Sequence, residues 1–162
     1  MEDGEMSTIA KASLLRTLSQ KLTAAELVGS TTTAPARFVI HNGPIEVKYL
    51  GILVETAIPA GANTLKFRFT PEGGSQTDLC SATDTASASA QQLFLVNGVK
   101  ATGLIKTTDL GVLAAGQSMY VPFYLGTGSI YLVFSGSAPA TGLVKLFMSY
   151  YPLAADAIVK MY

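Results

Sequence analysis

The chain is poor in the residues that most enzymes use. Its 162 residues include no tryptophan, one cysteine and one histidine. Cys80 alone cannot form an internal disulfide, and together with His41 it falls short of a zinc site. Glu46 and Glu55 lie in one predicted strand and are expected on its opposite faces, which argues against a glycosidase pair. Because catalysis needs a poised acid, base, nucleophile or metal, we expect no enzymatic activity, no metal and no cofactor.

Charge is scarce as well. Charged residues make up 14% of the chain, against roughly 25% in typical soluble domains. Eleven basic and eleven acidic side chains cancel, which argues against nucleic-acid binding because that needs a basic face. No apolar run approaches the roughly 18–20 residues that cross a bilayer, and residues 1–5 lack the basic and apolar regions of a signal peptide. We therefore expect synthesis in a cytoplasm, without a nucleic-acid or membrane partner.

The missing charge is concentrated in one stretch. Residues 110–144 contain no Asp, Glu, Lys or Arg. One interpretation is a solvated surface rich in Ser, Thr and Tyr. The other is burial against partner chains, because interface cores lose charge and gain aromatic residues. We favour the second, which predicts a homo-oligomer. The candidate subunit interface consists of the aromatic residues Tyr120, Phe123, Tyr124, Tyr131 and Phe134.

The N-terminal region differs from the rest of the chain. Residues 11–27 carry the only clear helical pattern, in which four leucines form one apolar stripe. Thr23 and Glu26 have the spacing of a capping box and predict that a second short helix starts there. This region either packs on its own domain or is an arm that docks on a neighbouring subunit or on a particle. The candidate anchors of such an arm are Leu14, Leu15, Leu18 and Leu22.

From residue 37 onward the apolar period becomes two. In residues 64–70, apolar Leu65, Phe67 and Phe69 alternate with polar side chains, as expected of a half-buried strand. Two Asn-Gly pairs, at 42–43 and 97–98, predict tight antiparallel hairpins because both residue types tolerate positive φ. Further strands are predicted at residues 37–41, 45–56, 93–96, 99–106, 118–125, 129–135 and 143–151.

These strands define the predicted fold class and domain organisation. About eight strands without intervening helices predict an all-β fold, an antiparallel β-sandwich or jelly roll. We divide the chain into an N-terminal arm with a helical and an extended segment (1–34), a β-sandwich domain (35–155) and a C-terminal tail (156–162). Residues 73–90 form the longest stretch without strand character, which is typical of a functional or mobile loop.

Three segments of the chain carry a recognisable pattern. They are residues 94–106 (FLVNGVKATGLIK), 128–137 (GSIYLVFSGS) and 141–153 (TGLVKLFMSYYPL). The last two read as a strand, a Ser/Gly turn, a Thr-Gly pair, a second strand and a closing Tyr-x-Pro-Leu. In this pattern the chain resembles small structural proteins of tailed bacteriophages, including capsid decoration (cement) proteins. The resemblance covers roughly residues 45–155 and carries over no catalytic residues.

The resemblance implies a function and its partners. Capsid decoration proteins are β-sandwich subunits, often trimeric, that sit on the head lattice. We therefore expect a homotrimer that binds the major capsid protein on the capsid surface of a virion and is made in the host cytoplasm. The alternative is a receptor- or glycan-binding module of a phage tail or fibre, whose exposed tyrosines would stack on sugars.

Overall fold

The computed structural model describes residues 14–27, 35–61, 63–107, 121–136 and 141–162 of the chain. They form an all-β fold with two antiparallel sheets and one short helix, α1 (Ala24–Leu27). Sheet A contains β1 (Arg16–Thr23), β3 (Ile45–Thr56), β7 (Leu93–Leu95), β8 (Ile105–Lys106), β9 (Phe123–Leu125) and β11 (Leu143–Pro152). Sheet B contains β2 (Ala36–His41), β4 (Thr64–Pro71), β5 (Thr77–Asp78), β6 (Thr83–Asp84), β10 (Gly128–Ser135) and β12 (Ile158–Met161).

The strand pairs are nested along the sequence. The order in sheet A is β1-β11-β3-β7-β8, with β9 also pairing with β3. In sheet B it is β12-β2-β10-β4-β5, with β6 also pairing with β4. The first long strand thus pairs with the last long strand, the second with the one before it, and so on inward. Successive pairs alternate between the two sheets, so the chain winds from sheet to sheet as it proceeds.

Alternating side chains explain why these segments are strands that share one core. In β4, Leu65, Phe67 and Phe69 are buried and the residues between them are half-buried, which confirms the predicted face. The even-numbered residues of β11 behave in the same way, and Val144, Leu146, Met148 and Tyr150 are buried. One hydrophobic cluster joins both sheets; its members include Leu22, Val54 and Met148 of sheet A and Phe38, Phe67 and Ile130 of sheet B.

The predicted helix over residues 11–27 is wrong for residues 16–23. Arg16–Thr23 is β1, paired with β11 over eight consecutive residues. Leu14, Leu18 and Leu22 are spaced by four, and this spacing keeps side chains on one face of a strand as well as of a helix. The predicted short helix after Thr23 is confirmed as α1. There Glu26 Oε2 accepts hydrogen bonds from the backbone N–H and the hydroxyl of Thr23, each at 2.8 Å.

The ends of the described chain belong to the two sheets. β1 is the edge strand of sheet A, so residues 16–23 are not a separate arm. Residues 158–161 form β12, which pairs with β2, so the predicted tail carries the edge strand of sheet B. The Arg16 guanidinium donates a hydrogen bond of 3.3 Å to the Ala157 carbonyl. This bond joins the two edges on one side of the fold.

Neither Asn-Gly pair makes a tight hairpin. Asn42 and Gly43 do have positive φ, at 62° and 144°, but they connect β2 of sheet B to β3 of sheet A. The second pair lies in the nine-residue connection 96–104 between β7 and β8, which do pair antiparallel. Gly98 has φ 80° there, and a Cβ at this position would collide with the Val121 carbonyl. The dipeptides mark unusual backbone geometry, but not two-residue turns.

A bulge changes the face of the residues that follow it in β3 up to a second register shift at Glu55. Tyr49 pairs with Ser149 and Val47 with Tyr150, so Lys48 is an extra residue in the ladder. As a result Glu46 and Glu55 share the outer face, where opposite faces were expected. About eight strand residues separate them along β3, or roughly 26 Å. This distance is too long for a pair of glycosidase carboxylates.

Substitutions in the leucines around β1 test its place in the sheet. Leu22 is 0% exposed, whereas Leu14 is 64% exposed. We expect Leu22→Ala to lower the free energy of unfolding by about 2–5 kcal/mol, because it leaves a cavity in the core. The matched Leu14→Ala should change it by less than about 0.5 kcal/mol. Urea titration followed by circular dichroism measures both, and similar losses would contradict a buried Leu22.

Candidate functional site

The four predicted anchor leucines divide into two groups. Leu22 lies in the core, and Leu18 packs against it. Leu14 and Leu15, just before β1, are 64% and 46% exposed. Leu22 therefore cannot be an anchor for a particle while β1 is in place. Leu14 and Leu15 are available to a partner at the start of the edge strand.

The predicted aromatic interface is not a single patch. Phe134 is 4% exposed and belongs to the core, so it is not a surface residue. Tyr131 is half-buried on the opposite, outer face of the same strand, β10. Phe123 and Tyr124 lie in β9 on the other sheet, where Phe123 packs on the core and Tyr124 is 67% exposed. Tyr120 lies outside the described residues.

The chain's own core accounts for the absence of charge in β10, which lies within the uncharged stretch. β10 lies between β2 and β4 at the centre of sheet B, so both of its edges are paired. Its residues Ile130, Leu132, Val133 and Phe134 are all buried. Charge is excluded there by intramolecular burial, which needs no partner chain. Residues 110–120 and 137–140 of the stretch lie outside the described residues.

A cleft lies between the edges of the two sheets. It has a volume of about 170 Å³ and is bounded by β5 on sheet B and by β9 and the 96–100 segment on sheet A. Leu79, Val96 and Phe123 supply an apolar lining. Asp78, Lys100 and the exposed ring of Tyr124 supply polar or aromatic groups. The lining is mainly apolar, with one exposed aromatic ring and two charged side chains beside it.

Asp78 is the most strongly paired ionisable group at this cleft. Its carboxylate lies 2.7 Å from the Lys66 ammonium and 2.7 Å from Nε of Arg68. Burial alone would raise the pKa of the Asp78 carboxyl. The hydrogen bonds and positive charges of Lys66 and Arg68 outweigh that effect, so its pKa is lowered. Asp78 is therefore a carboxylate at neutral pH and ties β5 to β4.

Cys80 and His41, the remaining candidates for a nucleophile and a base, are not in contact with each other. Cys80 is buried in the core, and burial raises the pKa of its thiol to about 11 despite a hydrogen bond from the Phe67 N–H. His41 lines a different concavity, of about 340 Å³, with Thr70, Glu72 and Ser129 among its other lining residues. Cys80 at neutral pH is a protonated, inaccessible thiol, as expected of a small apolar filler.

Among the described residues, no group of three or more His, Cys, Asp or Glu side chains could hold a metal ion. In the same part of the chain, no helix is long and apolar enough to span a membrane. No protein-family model, curated protein or solved structure matches the chain.

Sequence reasoning missed the free edge of β1. Residues 16–23 carry the signal in their alternation: Thr17, Ser19, Lys21 and Thr23 are exposed, while Leu18 and Leu22 face the core. The leucine spacing fits both periods, and the polar odd-numbered residues decide between them. Along its outer side, β1 has no pairing partner among the described residues.

A charge-removing variant tests the ion pairs of Asp78. We expect Asp78→Asn to lower the free energy of unfolding at pH 7 by about 1 kcal/mol, because the carboxylate is partly solvated. A lowered pKa stabilises the fold above the ordinary carboxyl value of 3.8, and this stabilisation is lost as pH falls below that value. The difference between the two proteins should therefore shrink as pH falls through the lowered pKa of Asp78 and be smallest at the acid end of the titration. Denaturant titrations across pH measure it. The exposed Asp156→Asn variant is the control, and equal losses in both would contradict the assignment.

Proposed function

We propose that the chain is a structural protein of a bacteriophage virion, a capsid decoration protein that assembles with copies of itself and binds the major capsid protein. In this role it adds buried contact area to the shell and so stabilises it, at roughly 25 cal/mol per Å² of apolar surface before the costs of association. The subunit is a β-sandwich of the jelly-roll type. It acts on the capsid surface after synthesis in the host cytoplasm.

The nested strand order is the observation that carries this proposal. A jelly roll winds long antiparallel strand pairs into two facing sheets, and it is common in viral capsid and lectin domains. The pairs β1–β11, β2–β10, β3–β7 and β4–β5 alternate between sheets A and B, which supports the proposed jelly-roll type. Fold alone does not imply function. The fold therefore supports the role together with the sequence resemblance of residues 94–106 and 128–153 to phage structural proteins.

The surface near β1 supports a role in assembly. Leu14 and Leu15 are exposed side by side immediately before a strand whose outer edge has no partner among the described residues. An apolar pair next to free backbone donors and acceptors suits a partner that supplies both an apolar pocket and a strand. The trimeric state rests on the resemblance, and the described contacts do not select a symmetry.

Binding to phage heads tests the proposed function. Heads of the phage that encodes the chain, prepared without this protein, should bind it when it is added and should then resist heating to a higher temperature. Sedimentation measures the bound copies, and scanning calorimetry measures the melting of the shell. Heads that neither bind the purified protein nor gain stability would refute the role.

Variants of the exposed leucines test the anchor within the same assay. We expect replacement of Leu14 and Leu15 by Ser to weaken head binding by about tenfold or more, because two exposed leucines lose their apolar contact with the head. Val99→Ser is the matched control, since Val99 is similarly exposed in the connection between β7 and β8, at the opposite edge of sheet A. Equal binding by all three proteins would reject the anchor and leave the decoration role standing.

A glycan-binding module is the second candidate, favoured by the cleft beside Tyr124. Jelly rolls also occur in lectins, and an exposed tyrosine ring can stack on the apolar face of a sugar. If this function is correct, a glycan array should show selective binding that Tyr124→Ala abolishes. Tyr162→Ala removes a similarly exposed ring elsewhere and should have no effect. An array without any selective signal would reject this candidate.

A further inference from the structure

β1 differs from every other edge strand of the described fold. It has eight residues, no proline, no glycine and no bulge in its pairing with β11. The other described strands at sheet edges are short: β5, β6 and β8 have two residues each, β9 has three and β12 has four. Proteins commonly shorten, bend or charge their edges, because a free edge recruits another strand. β1 is neither short nor interrupted.

The single charge on the outer face of β1 does not protect its edge. Lys21 lies opposite Lys145 of β11, and Lys145 in turn pairs with Leu53 of β3. The ammonium of Lys21 nevertheless lies 2.9 Å from the carboxylate of Glu55, which is on β3. The side chain therefore extends inward across β11 and away from the open edge. A lysine that leans over its own sheet leaves the backbone of the edge accessible.

The side chains of β1 match those of a second β1 in one antiparallel register. When two copies are related by a two-fold axis through Gln20, residue i faces residue 40 − i of the other copy. Leu18 then faces Leu22, Thr17 faces Thr23, and Ser19 faces Lys21. Each pair joins residues of the same face, because the two positions are both odd or both even. No residue faces a like charge.

The register also brings two copies of a polar side chain together on the axis. Gln20 Oε1 is buried and has no hydrogen-bond partner among the described residues. A buried acceptor without a partner is costly and rare in native structures. On the two-fold axis, Gln20 of one copy is directly opposite Gln20 of the other. A change of rotamer that turns each Oε1 out of its buried position would let each carboxamide donate an N–H to the oxygen of the other.

We propose that β1 is a self-association edge, through which two copies of this chain pair antiparallel about Gln20 and extend sheet A into one continuous sheet. This deepens the proposed function, since it rests on self-assembly and names the surface that performs it. The contact is isologous and gives a dimer. A three-fold contact of the kind the resemblance implies would use a different surface of the subunit.

Charges placed at Ser19 test the contact and its register together. Ser19 is exposed and faces Lys21 of the other copy, so both Ser19→Glu and Ser19→Lys should fold normally. We expect Ser19→Glu to tighten the dimer about fivefold and Ser19→Lys to weaken it about fivefold, because each change acts at two symmetric positions. Sedimentation equilibrium measures the dissociation constants. In the neighbouring register Ser19 would face itself, and both variants would then weaken the dimer.

Cysteine substitutions test the same register by intermolecular disulfide formation. Gln20→Cys should form an intermolecular disulfide under mild oxidation, because directly opposite strand residues have Cα atoms about 4.5–5.5 Å apart. Ser19→Cys is the control. Two copies of residue 19 would be diagonal neighbours about 8 Å apart, too far for a disulfide. The native Cys80 is buried and stays out of the reaction.

The outcomes separate this inference from the proposed function. A native chain that stays at the 16.9 kDa monomer mass at high concentration overturns the edge pairing. An oligomer that neither charge variant changes overturns it as well, and one that both variants weaken overturns the register about Gln20. Head binding is measured separately, so a chain that binds heads without β1 pairing keeps its proposed function and loses only this contact.

Discussion

The fold depends on one constraint: the apolar inward faces of strands that are far apart in sequence must be buried together in one core. Leu22, Val144 and Val54 are aligned across β1, β11 and β3, and all three are fully buried. This row joins the beginning, the end and the middle of the chain. Closing such long loops costs conformational entropy, which only burial of the shared apolar face can offset. Nested pairing satisfies this constraint, because the two strands of each pair enclose in the sequence the strands that form the next pair.

Sequence reasoning recovered the features that are encoded locally. Alternation identified β4 and the buried face of β11, and the spacing of Thr23 and Glu26 identified the start of α1.

Sequence reasoning failed where two local interpretations were equally good or where the pairing partner of a strand was distant in the sequence. Leucines four residues apart fit both a helix and a strand, and only pairing with β11 decided for β1. The bulge at Lys48 has no sequence signature, yet it moved Glu55 to the other face. For the same reason, the Asn-Gly pair at 42–43 did not reveal that its two flanking strands lie in different sheets.

The lack of charge indicates that a segment is buried, but it does not show whether the chain's own core or a partner chain buries it. β10 has no charged residue because both edges are paired and one face lies in the core, and Val133 on its outer face is buried too. A central strand and an interface strand impose the same composition on the sequence. Of the predicted aromatic residues with described positions, only Tyr124 is largely exposed. The candidate surface for assembly is therefore β1 and not the uncharged stretch. The composition of β1 is ordinary, but a strand of this length is unusual at the edge of a sheet.

The length of β1 follows from the strand that it covers. β11 presents a row of buried side chains, and a short neighbour would leave part of that row and its backbone groups exposed to water. Stability of the core thus requires a long strand at the edge of sheet A, and the backbone groups on the other side of this strand pair with no strand among the described residues. The ion pair between Lys21 and Glu55 stabilises the fold from within, and in doing so it removes the charge that would guard this edge. Intramolecular stability and intermolecular pairing therefore favour the same arrangement. A chain selected to remain a monomer would instead place a free lysine, a proline or a bulge in β1.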